Sequence, residues 1–221
     1  MMATLGTSTR PGAPRPAALW VGISRISSGG LVLATLAVVY ALNVVGGDPR
    51  FENTFGYFTN LTSLFASLVI LTAGIATLRG RPSGRPLAIA RAAAASCLVI
   101  VGLVYNLLVP GTGTAPPWAS VILHLVFPVL ALLDWLLVTD RPRLAWREIW
   151  WVLPYPIVWL AATLIRGVTE GWVPYGFLLP SRGTTAILWT STGLLAALLA
   201  AAALVWAGQR TSRAGLDSMG D

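Results

Sequence analysis

Apolar residues along this chain collect into six runs, at about 26–45, 57–78, 88–109, 119–138, 149–166 and 184–207. A hydrocarbon layer about 30 Å thick is crossed by roughly 20 apolar residues in a helix, so each run is long enough for one crossing. Short connections carrying Gly, Pro and Arg separate them, such as Gly46-Gly47-Asp48-Pro49 and Arg79-Gly80-Arg81-Pro82-Ser83-Gly84. The pattern predicts an all-α polytopic membrane protein with six transmembrane helices. The sixth run, rich in Ala and Leu, is the clearest. The fifth is the weakest, because Pro154 and Pro156 each remove a backbone donor.

The flanks differ in character. Residues 1–18 carry Arg10, Arg15, Pro11, Pro14 and Pro16 without an apolar core of their own, and are expected to form a disordered tail and not a cleavable signal peptide. Residues 208–221 are expected to be a polar C-terminal tail. One transmembrane domain, 19–207, lies between them. Composition agrees: 56% of residues are hydrophobic and 10% charged, with a mean hydropathy of +0.74, against roughly 25% charged in soluble domains. A soluble enzyme and a disordered chain are excluded. Cys97 is the single cysteine, which excludes an internal disulfide framework.

Charge then sets an orientation. With the N-terminus in the cytoplasm, Arg10, Arg15, Arg25, Arg79, Arg81, Arg85, Arg91, Arg141, Arg143, Arg147, Arg210 and Arg213 fall on the cytoplasmic side. Only Arg50, Arg166 and Arg182 fall outside. This bias predicts a cell-membrane protein with both termini cytoplasmic. The net charge of +7 is thereby accounted for by topology and by anionic headgroups at the inner leaflet. The expected partners are membrane lipids, with no role for nucleic acid.

Polar side chains inside the spans are costly and mark candidate sites. Given that orientation, Thr59 and Asn60 open the second span near the outer face. Asn43, Tyr105 and Asn106 reach the same level from the first and third spans, and Arg166 ends the fifth. His124, the only histidine, lies on the order of 9 Å below the outer end of the fourth span. Two readings of it stand: an imidazole bonded to a neighbouring helix, or a general acid or base titrating near neutrality. Pro128, four residues on, cannot donate to the His124 carbonyl, so the helix is expected to loosen there. One histidine cannot build a multi-histidine metal centre or paired haem ligation; no metal and no cofactor are expected. A threonine hydroxyl is a weak nucleophile until a base takes its proton. Thr59 and His124 could form such a pair if spans two and four touch.

The remaining polar positions have plainer readings. Thr62, Ser63, Ala66, Ser67, Ala73, Gly74 and Thr77 recur at helical spacing as a small-residue packing face. Asp134 lies about 15 Å along the axis from His124, too far to orient the imidazole, and is expected to pair with Arg79 or Arg147. Gly111-Thr112-Gly113 lacks the strand and spacing of a dinucleotide site. Ser191 follows His124 on a helix of its own and only faintly suggests an intramembrane serine protease.

Four features together carry a resemblance: the six crossings, Tyr57-Phe58-Thr59-Asn60-Leu61 opening the second span, His124 with Pro128 in the fourth, and Gly171-Trp172-Val173-Pro174-Tyr175-Gly176-Phe177-Leu178. In these the chain resembles the androgen-induced-protein family and its bacterial six-pass relatives. The resemblance implies a threonine hydrolase of esters between fatty acids and hydroxy fatty acids, with Thr59 as nucleophile and His124 as base. A lipid ester is then the expected substrate. Asn60, Tyr105 and Asn106 are candidates for oxyanion donors, Arg166 closes the fifth span at the same level, and the 167–183 connection with Tyr175 would anchor or cover the site. The alternative is a non-catalytic six-helix membrane protein that binds a lipid or a protein partner, its polar cluster serving helix packing.

Overall fold

The computed structural model describes residues 16–108, 110–111 and 115–217. Among these residues there is no strand. Helices α1 (Pro16–Val45), α2 (Phe51–Phe55), α3 (Phe58–Leu78) and α4 (Arg85–Leu108) are followed by α5 (Pro117–Leu137), α6 (Pro154–Thr169) and α7 (Thr184–Asp217). A 3-10 helix, Trp146–Val152, leads into α6. Among the described residues six helical segments are long and apolar enough to cross a membrane, so the chain is a multi-pass membrane protein.

Several boundaries differ from those read in the sequence. The first span begins at Pro16, not near 26, since proline is tolerated in a first turn where no donor is needed. Residues 1–15 of the expected N-terminal tail lie outside the described residues. The last helix continues to Asp217, through most of the expected polar C-terminal tail, and 218–221 lie outside the described residues. Pro154 and Pro156 do not break the fifth span in its middle. They fall in the first turn of α6, and the chain before them is wound as the 3-10 helix.

Helix α4 is the centre of the bundle. Its run from Ala92 to Leu98 is buried on every face, as expected of a helix surrounded by others. One side packs on Trp135, Leu198, Ala202 and Trp206, the other on Val32, Leu36, Leu123 and Phe127. Helices α1 and α3 approach closely because glycines stand between them: a Cβ at Gly29 would lie 2.8 Å from the Leu71 side chain, and one at Gly74 3.1 Å from the Gly22 carbonyl.

The end of the bundle near Pro16 is held by buried ions as well as by apolar packing around Trp135, Leu144 and Trp206. Arg25 and Arg91, 2% and 3% exposed, each bridge Asp134 and Asp140. Arg25 reaches Asp134 at 2.7 Å and Asp140 at 2.5 Å. Arg91 reaches them at 2.7 and 2.8 Å. Thr77 accepts a further bond from Arg25 at 2.7 Å, and Ser83 one from Arg91 at 3.1 Å. Arg141 lies over the Trp135 ring, 3.7 Å from its centre, and donates to the carbonyls of Val138 and Trp135. The pairing of Asp134 with Arg79 or Arg147 is therefore corrected. The buried arginines belong to α1 and α4, and their desolvation is offset by these carboxylate pairs, although Arg91 Nε has no hydrogen-bond partner among the described residues. Arg79, Arg81, Arg85, Arg143 and Arg147 are exposed.

Candidate functional site

The opposite end of the bundle carries a cavity of about 120 Å³. Its geometry begins with Pro128. Lacking an N–H, Pro128 cannot close a helical bond, and the chain from Ile122 to Val126 widens into a π-helical turn in which the Phe127 N–H donates to the Ile122 carbonyl. His124 lies within that turn. Its carbonyl, released from the helix ladder, accepts from the Asn106 side-chain amide at 3.3 Å; the same amide donates to the Gly102 carbonyl at 2.7 Å. A Cβ at Gly102 would lie 3.2 Å from the His124 oxygen, so the absent side chain lets α4 draw close.

The imidazole is fixed on three sides. Nδ1 lies 2.9 Å from the Ser120 carbonyl. A carbonyl can only accept, so Nδ1 carries the proton and Nε2 is the acceptor in the neutral ring. Nε2 faces the Thr59 hydroxyl at 3.2 Å. The Tyr105 ring stacks on the imidazole with centres 3.6 Å apart and planes 13° from parallel. Spans two and four do bring Thr59 and His124 together.

Thr59 occupies the second position of α3, where backbone N–H groups have no intrahelical partner. Tyr57, the preceding residue, offers no side-chain cap. The Tyr175 phenol, from the connection between α6 and α7, shares the cavity lining with Thr59 beside this turn. Burial pushes the phenol's pKa up, and the neighbouring Thr59 and Phe58 pull it partly back. Tyr175 and Phe177, stacked with centres 5.1 Å apart, cover the cavity from the connection between α6 and α7. Gly56 is required just before α3. A Cβ there would stand 2.4 Å from the Glu52 carbonyl and 2.7 Å from the Trp172 ring.

Of the expected site residues, Thr59, Asn60, Tyr105, His124 and Tyr175 line the cavity. Asn106 and Arg166 do not. Asn106 acts on the His124 backbone. Arg166 donates to the Glu52 carbonyl at 3.0 Å and to Asn53 at 2.9 Å, pairs with Glu170 at 2.9 Å, and lies 4.2 Å from the Trp172 ring centre. It ties α6 to α2 and to the covering connection. Ser120 was missed by sequence reasoning. Its backbone oxygen does the work, and backbone leaves no compositional signal. Ser191 was also missed as part of this cavity. It is 8% exposed, and its hydroxyl has no hydrogen-bond partner.

The lining divides by chemistry along the helices. Ile100, Val101, Leu195 and Leu198 are apolar and lie deeper along α4 and α7, in what we call the inner lobe; Thr59, His124, Asn43, Asn60 and Ser191 lie nearer the helix ends remote from Pro16, which we call the mouth. The register between α5 and α7 gives this order a scale, because Trp135 Nε1 donates to the Val205 carbonyl at 2.8 Å. From that level, at 1.5 Å per residue, His124 stands about 16 Å, Ser191 about 21 Å and Leu198 about 10 Å toward the mouth. No group of three or more metal-ligating side chains exists among the described residues.

Compared with models of known protein families, with curated proteins and with solved structures, the chain gives no match.

Proposed function

We propose that this membrane protein hydrolyses lipid esters, with Thr59 as nucleophile and His124 as base. The reading is carried by one observation, the 3.2 Å approach of the Thr59 hydroxyl to His124 Nε2 at the polar end of an apolar cavity. It accords with the resemblance in sequence to the androgen-induced-protein family, whose substrates are fatty acid esters of hydroxy fatty acids.

The chemistry follows from the protonation pattern. Nε2 takes the Thr59 proton as Oγ1 attacks the ester carbonyl carbon. The tetrahedral oxyanion forms near the N–H groups at the start of α3, which have no intrahelical partner and fix partial positive charge in place. The imidazolium returns its proton to the departing alkoxide as the carbon–oxygen bond breaks, leaving an acyl-threonine. Water then adds to the acyl carbon and passes a proton to Nε2. Collapse frees the fatty acid, and His124 returns that proton to Thr59. Ser120 holds the ring in the tautomer that keeps Nε2 open, and Tyr105 limits its rotation. Exposed Arg79, Arg81, Arg85, Arg143 and Arg147 stand at the Pro16 end against Arg50 and Arg182 at the other, and on that bias we place the Pro16 end and both termini in the cytoplasm.

The test is turnover of a long-chain ester by the purified full chain in detergent. Thr59→Ala and His124→Ala should each lower kcat by at least ~100-fold with the thermal unfolding midpoint retained. Turnover that survives both substitutions overturns the reading. Ligand binding without any turnover would instead assign a non-catalytic lipid-binding protein.

A further inference from the structure

The mouth of the cavity holds polar atoms that the fold itself does not use. Asn60 spends its amide N–H on the Thr54 carbonyl at 2.8 Å, and its oxygen accepts from no donor among the described residues. Asn43 donates to the Thr54 hydroxyl at 2.8 Å, leaving its oxygen in the same condition. Ser191, more than nine-tenths buried, has a hydroxyl with no partner at all. All three residues line the cavity, and Thr54 joins the two amides into one patch. Ser191 stands on the mouth side of His124 by the register given above. One turn and two turns inward on the same face of α7, Leu194, Leu195 and Leu198 make the lining wholly apolar.

Amide oxygens only accept, so a complementary ligand must donate there. A buried polar group left unpaired is costly, and a site made to bond a hydroxyl strongly rejects the analogue that lacks it. We infer that the cavity takes a single-chain lipid whose alcohol part is a small polyol: the chain fills the inner lobe, and free hydroxyls bond Asn43, Asn60 and Ser191. This deepens the hydrolase reading and rests on it for the ester bond. It departs from the long-chain hydroxy acid that the family resemblance implies, because Asn43, Asn60 and Ser191 set hydrogen-bonding groups among the apolar ones where a second chain would lie.

The experiment uses a monoalkyl glyceryl ether, which has the chain and the polyol but no ester to cleave. Its binding to the full chain in detergent is measured by thermal shift against the primary alcohol of equal chain length. The ether should bind at least ~10-fold more tightly, about the worth of one buried hydrogen bond. Ser191→Ala, which nearly keeps the volume, should remove most of that discrimination, and Ser191→Cys, which keeps only a weak hydrogen-bonding group, should do so in part. Equal binding of the two lipids by the unaltered protein overturns the inference. So does discrimination that persists undiminished in both variants. In parallel, the monoacylglycerol of the same chain length is assayed with the unaltered protein and with Thr59→Ala. Selective ether binding without Thr59-dependent turnover sinks the hydrolase reading alone. Thr59-dependent turnover without selective binding sinks the polyol inference alone.

Discussion

The Thr59 hydroxyl lies 3.2 Å from His124 Nε2, although 65 positions of sequence separate the two residues. Each was placed by a different device: Thr59 by the start of α3, His124 by the π-helical turn that Pro128 imposes on α5. If the pair acts as proposed, the hydroxyl itself carries the reaction. Thr59→Ser should retain turnover within roughly tenfold, whereas Thr59→Val, of the same shape, should lose at least ~1000-fold in kcat with an unchanged unfolding midpoint. Steady-state kinetics on one long-chain ester separate the two outcomes.

Asn106 touches no part of the cavity, yet it bonds the carbonyl that Pro128 frees. Asn106→Leu should lower kcat several-fold with little change in KM, because it loosens the imidazole and not the lipid lobe; the lost bond is worth about 1 kcal/mol. Pro128→Ala supplies the missing N–H and should draw His124 back into regular helix. That variant should unfold at higher temperature while turning over more slowly.

At the other end, Arg25 is nearly inaccessible and serves two carboxylates. Arg25→Met leaves Asp134 and Asp140 short of a partner and should cost about 3–5 kcal/mol of stability, the usual penalty for an uncompensated buried charge. Adding Asp134→Leu should recover part of that loss, giving a favourable coupling in a double-mutant cycle of denaturant unfolding. Simple additivity would show that Arg25 and Asp134 act independently.

Asp140 gives this network a pH dependence. Burial alone would raise its pKa, but bonds from Arg25 and Arg91 overcome it and hold the carboxyl far below its ordinary value of 3.8. A carboxylate with a depressed folded pKa contributes its full stabilisation above that ordinary value. The contribution is lost as pH falls from there toward the folded pKa. The unfolding midpoint should therefore stay level from pH 7 down to about 4 as far as this group is concerned, then drop below it. Asp140→Asn should start from a lower midpoint and show a shallower acid limb.

Sequence periodicity and composition were enough to specify a membrane bundle with six crossings, because hydrocarbon demands uninterrupted apolar length and that demand is local. Pro128 likewise announced a loosened turn at His124, since a missing N–H acts within one helical turn. Thr59 and His124 were nameable in advance as polar groups at a shared depth.

What the chain could not announce was lateral. Depth along a helix is read by counting residues, but which faces meet depends on how separate helices pack, and only the tertiary structure decided that. It took Arg25 and Arg91 from an expected tally of cytoplasmic charge and buried them against Asp134 and Asp140. It turned Arg166 and Asn106 away from the cavity into braces, and turned Ser191 toward it. It also recruited the Ser120 carbonyl, a backbone atom that every residue carries and no pattern of side chains can flag.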